Sequence, residues 1–272
     1  MEKINLTNEK IVESAGHSSK GNQPKWVLND KWYKADHMGY EALAEIVISR
    51  LLEKSNITNF VKYYPVEISY NDRTLNGCYS FNFLKKGYEL IPFERLHRAY
   101  CGIGLHEKLS EIESIEERIT YTVSFVEQHT NLTDFGSYLT AMIEIDSFFL
   151  NEDRHTNNIA VIRNPETNEY SLCPYFDQGL SLLSDTDGFW FGEEVEKHIM
   201  RVSAKPFGSL NVQLSAMQKL YGNKLKFNFK SYDVDTILAE FKGIYSDKIL
   251  NRVKKVIEIQ CEKYASVFFE KK

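Results

Sequence analysis

Residues 134–150, "DFGSYLTAMIEIDSFFL", constrain this chain more than any other stretch. Wound as a helix, the segment is apolar on most of its faces, so it has no side to offer to water and must be surrounded by other elements. It therefore demands a sizeable lobe with a central helix, and 272 residues suffice to build one. The next residues, "NEDRHTNNIAVI" at 151–162, place acidic, basic and amide side chains between two apolar runs. Such groups are costly to bury unless they are paired, bind a metal or perform chemistry. A buried helix that delivers polar groups in this way points to a functional loop.

Before this helix the pattern is that of a small sheet. "KIVESAGH" (10–17), "SSKGNQ" (18–23) and "PKWVLNDKWYKAD" (24–36) read as strand pieces around polar turns, with Asn29-Asp30 able to turn a hairpin and Lys34 near its end. From Tyr40, "YEALAEIVISRLLEKS" sets Leu43, Ile46, Val47 and Leu51 at helical spacings, with Glu41 near the positive N-terminal end. "NFVKYYPVEISYND" (59–72) and "TLNGCYSFNFL" (74–84) follow as aromatic and β-branched strands. After about residue 88 helices dominate, at 111–129, 134–150, 211–221, 234–244 and 246–269. Two short strands, "NIAVIR" and "EYSLCPYF", joined by "NPETN", interrupt them. The expected architecture is α+β, with a sheet-rich part over residues 1–85 and a mainly helical part over 86–272.

Composition excludes several classes of protein. Hydrophobic residues make up 43% and charged residues 26%, as in a folded globular protein. A net charge of −5 offers no global attraction to nucleic acid or an anionic membrane, and the 13% aromatic content reads as core rather than as a base-stacking platform. No stretch of about 18 apolar residues occurs, and "MEKINLTNEK" does not read as a secretory leader. Cys78, Cys101, Cys173 and Cys261 lie far apart with no C-x-x-C spacing, the pattern of reduced structural thiols. A cytoplasmic protein is expected.

The polar loop has a specific spacing. Asp153 and Asn158 lie five positions apart, and Asp177 follows in "FDQG" at the end of the next strand. Phosphoryl transfer uses these parts in this order: an Asp orients the acceptor hydroxyl, then an Asn and a second Asp hold magnesium on the phosphates. Protein kinases spell the loop H-R-D-x-x-x-x-N followed by D-F-G; here the D-x-x-x-x-N spacing stands, but His155 follows the Asp. Lys34 on a strand and Glu45 on the next helix match the lysine–glutamate pair of such enzymes, with Glu41 the second choice for the acid and Lys20 or Lys25 for the base. The turn "GHSSKGNQ", with Ser18, Ser19 and Gly21, stands where a phosphate-covering loop belongs. Alone, each residue has an ordinary role: Asp153 in a turn, Lys34 and Glu45 on the surface, Ser18 and Ser19 in a loop, His155 bonding backbone. Only their joint order points to chemistry.

"NEDRHTNNIAVI…PYFDQG", with the upstream lysine and "AEIVISRLLE", resembles the HipA-like kinases over roughly residues 10–180. In that family the loop reads D-x-H-x-x-N and an aromatic-Asp pair follows, which Asp153, His155, Asn158 and Phe176-Asp177 match. The resemblance implies a two-lobed, protein-kinase-like fold related to the phosphatidylinositol kinases. It also implies ATP with Mg2+, catalysis by Asp153, and metal binding by Asn158 and Asp177. Nucleotide contacts are expected from Lys34, Glu45, Ser18, Ser19 and Gly21, with adenine against the backbone of Ser80, Phe81, Asn82, Phe83 and Leu84. The implied activity is transfer to Ser or Thr of a protein, with autophosphorylation at Ser18 or Ser19. Kinases of a small molecule or lipid, a metal-dependent phosphohydrolase, and a nucleotide-binding pseudokinase or interaction module are the alternatives. Two departures stand out. Barely ten residues precede the first strand, where HipA-type toxins carry a further N-terminal subdomain, so a stand-alone kinase is expected and the sequence does not support an antitoxin-like partner. Gln178 replaces the phenylalanine of D-F-G.

Overall fold

Two Asn-Asp pairs shape the sheet. In the computed structural model, which describes residues 1–12 and 23–269, Asn29 and Asp30 have φ of 50° and 61°, and Asn71 and Asp72 of 47° and 60°. Left-handed values at both central positions make the two-residue turn whose twist suits a hairpin, and Asn and Asp tolerate them better than other residues with a side chain. The strands are β1 (Glu2–Asn5), β2 (Lys25–Leu28), β3 (Lys31–Ala35), β4 (Tyr64–Tyr70) and β5 (Arg73–Phe81), in the order β1-β4-β5-β3-β2. β1 is parallel to β4, Ile4 lying beside Ile68. It carries no strand signal of its own and exists because β4 offers it an edge. Of the strand expected at 10–17, residues 10–12 are not in a strand, although the Val12 amide donates to the Lys25 carbonyl at 2.7 Å; the remainder lies outside the described residues.

Alternation along these strands separates core from chemistry. Trp26, Tyr33, Ala35, Val66 and Ile68 bury one face together with Leu6, and the period of two sends Lys25 and Lys34 to the other. Between β3 and β4 comes α1 (Glu41–Leu52), buried at every position but Arg50. Two carboxylates hold its entry: Glu41 accepts from the amides of His37, Met38 and Gly39, and Asp36 accepts from the Ala42 amide at 2.7 Å. Asp36 thus satisfies a first-turn donor at the positive end of the helix, and Glu41 those of the turn that leads into it.

Beyond β5 the chain runs through β6 (Glu89–Pro92), α2 (Phe93–Cys101), α3 (Leu105–Ser110), α4 (Ile115–Thr130), α5 (Phe135–Phe149), β7 (Ala160–Arg163) and β8 (Tyr170–Leu172). It ends with α6 (Val195–Arg201), α7 (Leu210–Tyr221), α8 (Ser231–Ala239) and α9 (Asp247–Lys263). β6, α2, α3 and α6 are too short for periodicity to reveal. The helix expected at 234–244 is α8, which begins earlier, where Asp233 caps it by accepting from the Lys230 amide at 2.8 Å, and ends at Ala239. No helix among the described residues is long and apolar enough to cross a membrane.

The chain divides into two compact units: residues 1–82, 176–201 and 226–272 in one, 83–175 and 202–225 in the other. Residues 176–201 and 226–272, assigned from sequence to the helical part, pack instead with the N-terminal segment. Long-range bonds explain this: Tyr40 hydroxyl to the Leu182 carbonyl at 2.8 Å, Arg50 to Glu240 at 2.5 Å, and Tyr245 hydroxyl to Asp36 at 2.7 Å. In the second unit α5 is central. Every residue of it except Ser137 is buried, and it packs on α4 and α7. A side chain at Gly136 would sit 2.4 Å from the Tyr221 ring, so the close approach of α5 there requires glycine.

Asp36 makes the first unit sensitive to pH. Burial pushes its carboxyl up to about 7, against the two donors that favour the charged form. The folded state thus holds the proton more tightly than the unfolded chain, and this contribution to stability is lost as pH rises toward 7. Asp36→Asn is expected to remove that slope and to exceed the wild type above pH 7 by on the order of 2–4 kcal/mol, at about 1.4 kcal/mol per pKa unit. Urea unfolding at pH 5 and pH 8 measures it; equal stability of the two proteins at pH 8 would contradict the assignment.

Candidate active site

In the first unit three elements meet at one ammonium. Pairing of β3 with β5 sets Lys34 opposite Cys78 on the face away from the aromatic core, and Lys34 is only 6% exposed. Its Nζ donates to Glu45 Oε1 at 2.5 Å, to Asp177 Oδ1 at 2.8 Å and to the Tyr63 hydroxyl at 3.5 Å. Burial works against the charged ammonium, but the carboxylates of Asp177 and Glu45 outweigh it and hold the Lys34 pKa well above its ordinary value. Lys34 stays protonated throughout the physiological range. Glu45 uses its second oxygen to accept from the Gln178 amide at 3.0 Å, so one carboxylate grips both the strand lysine and the Asp177 loop. Asp177 itself is left-handed, with φ of 62°. Glu41, the second choice for the acid, is occupied with the amides ahead of α1; Lys25, a second choice for the base, approaches Asp177 Oδ1 at 3.6 Å.

The second unit contains the other loop. α5 ends at Leu150 in the left-handed conformation, and the chain turns back over the helix it has just left. Asp146 in α5, fully buried, receives Arg154 through Nε at 2.8 Å and Nη2 at 3.1 Å, and Asn151 through Nδ2 at 2.9 Å. Arg154 also donates to the Asn158 carbonyl at 3.0 Å, and Asn151 Oδ1 accepts from the Asp153 amide at 3.0 Å. Asp153, its side chain 16% exposed, is thereby fixed between two groups anchored on one buried carboxylate. Asn158 donates through Nδ2 to the Asp153 carbonyl at 2.8 Å, leaving its amide oxygen outside that bond. His155 Nδ1 accepts from the Asn157 amide at 3.2 Å, which shapes the turn.

The structure thus brings Lys34, Glu45 and Asp177 together in one unit, and Asp153 and Asn158 in the other. Ser18, Ser19, Gly21 and Lys20 lie outside the described residues. Ser80, buried, shares the Lys34 face of β5, while Phe81 is 58% exposed; the change from first to second unit falls between Asn82 and Phe83, just before Leu84. Sequence reasoning passed over Asp146, Arg154, Asn151 and Tyr63. The signal for Asp146 was present, since an acid in a helix with no wet face needs a buried partner, and the basic group at the start of the loop is the nearest one.

No three His, Cys, Asp or Glu side chains among the described residues form a metal cage. Carboxylate and amide oxygens, such as those of Asp177 in the first unit and Asn158 in the second, are the donor types that a hard cation takes. No protein-family model matches the chain, and no curated protein matches it in sequence. Among solved structures it is similar to the crystal structure of the proinflammatory kinase CtkA of Helicobacter pylori. The TM-score is 0.63 at 16% identity, covering 97% of this chain and 96% of that one. The likeness shows the fold: the chain has a kinase-like α+β fold, sheet-rich at its N-terminal end and helical beyond, as expected from its sequence.

The Asp146–Arg154 pair separates stability from loop order. Asp146→Ala strands a buried guanidinium and is expected to cost about 3–5 kcal/mol. Asp146→Leu combined with Arg154→Met should recover most of that loss while residues 151–158 exchange their amide hydrogens faster than in the wild type. Denaturant unfolding with hydrogen exchange tests both parts; a double variant with native protection of the loop would show that the pair does not hold it.

Proposed function

We propose that this chain is an ATP- and Mg2+-dependent phosphotransferase of the HipA-like type, transferring phosphate to a Ser or Thr hydroxyl of a protein. The observation that carries this reading is the buried Lys34–Glu45–Asp177 cluster. A hydrolase that activates water on a metal has no use for a strand lysine locked to a helix glutamate, whereas a nucleotide triphosphate needs a fixed cation beside a metal-binding carboxylate. The kinase-like fold supports the same reading.

In this mechanism the chain mainly positions and neutralises. Lys34, charged at any working pH, faces developing negative charge on the phosphates, and Glu45 keeps its ammonium from moving as charge shifts. Asp177 and Asn158 offer oxygen atoms to magnesium, which when bound neutralises the phosphate oxygens and the charge they develop. Asp153 accepts the proton of the acceptor hydroxyl as that oxygen attacks, and the Asn151 and Arg154 contacts hold its backbone in place. Gln178, where other kinases have phenylalanine, contributes through its backbone amide to Glu45. The segment Ser80–Leu84 takes the adenine, and Ser18 or Ser19 is the expected site of self-modification.

Incubation with magnesium-ATP, followed by intact mass and peptide mapping, tests the activity directly. The wild type should gain phosphate, and Asp153→Ala should slow the gain by roughly 10²–10⁴ while retaining nucleotide affinity. Free phosphate released without a modified protein would turn the reading toward hydrolysis. Calorimetry of Asp177→Asn should show that magnesium no longer strengthens nucleotide binding; an undiminished magnesium effect would remove Asp177 from the metal.

A further inference from the structure

The β2–β3 hairpin sets two lysines side by side. Lys25 and Lys34 are register partners, so their side chains leave the sheet on the same face, directly across from one another. Like charges in that position repel. Lys34 is compensated: an ammonium has three donors, and those of Lys34 are directed at Glu45, Asp177 and Tyr63. Lys25 is not compensated in the same way. It meets Asp177 Oδ1 at 3.6 Å, beyond hydrogen-bond length. Its side chain is 26% exposed, enough to reach a ligand and buried enough for its charge to be felt. Both lysines share one carboxylate, and that carboxylate is the proposed metal ligand.

Building on the phosphotransferase reading, we infer that Lys25 is a second phosphate-binding cation. The hairpin register holds it beside Lys34, and its donors go to the nucleotide's polyphosphate. Lys34 is then the fixed charge, its donors committed to the protein, and Lys25 the cation that changes partner when ligand arrives. A like-charge pair is tolerated in the hairpin because an anion completes it.

Calorimetry on the full chain with magnesium-ATP and with adenosine, together with thermal melting without ligand, tests the assignment. Lys25→Gln should weaken magnesium-ATP about ten- to a hundredfold, the range of a lost charge-assisted hydrogen bond. Adenosine affinity should not change, the unliganded melting temperature should hold or rise as the repulsion from Lys34 is relieved, and Lys25→Arg should keep most of the affinity. If Lys25→Gln binds magnesium-ATP as the wild type does, the Lys25 assignment falls and the kinase reading stands. If it weakens adenosine equally or lowers the unliganded melting temperature, Lys25 is structural and the assignment also falls. A wild type that binds no magnesium-ATP would overturn this inference and the phosphotransferase reading together.

Discussion

Glu45 sits at the centre of the first unit because its two oxygens do different work. One meets Lys34 on a strand, the other the amide of Gln178, far along the chain. Removing a carboxylate and an ammonium from water is expensive, and attraction between them repays the cost only if geometry is tight and the remaining hydrogen-bonding capacity is filled. Here it is filled by Asp177, Tyr63 and a backbone amide. The position of α1, the return of residues 176–201 to the N-terminal segment and the direction of Asp177 all follow from satisfying this one buried charge cluster.

The second unit solves the same problem with another pair. Asp146 lies in a helix that has no solvent face, so its charge is admissible only because Arg154 and Asn151 come back to it. Those bonds pin the loop at both ends of Asp153. In each unit an expensive buried ion pair is retained where well-packed hydrophobic residues could supply most of the same stability. What the pairs supply is placement: loop side chains inherit the rigidity of a helix, as catalysis by positioning requires.

Much of this was legible beforehand, for local reasons. The Asn29-Asp30 turn, the α1 and α5 helices and the Asp153–Asn158 spacing are written in consecutive residues, where turn chemistry and the 3.6-residue period act. Lys34 and Glu45 were recognisable only as a combination, and their 2.5 Å contact is a product of folding. Asp146 was visible as an acid out of place and Arg154 as the nearest basic residue, but nothing in the sequence says that the chain reverses at Leu150 to join them. Short elements such as β1 and α3 lacked the length to show a period.

By itself, then, the sequence determined the kinds of element, the central buried helix and the order in which a set of polar residues follows it. Each depends on neighbours a few positions apart, whose spacing directly sets which face they share. Tertiary structure alone decided that residues 226–272 join the N-terminal segment through Tyr245 and Asp36, that Asp177 comes to Lys34, and that Glu45 rather than Glu41 takes the lysine. Those outcomes are settled by competition among many distant partners for the same buried donors and acceptors. No local pattern records who wins such a competition; only the packed chain, in which every buried charge must find an answer, does.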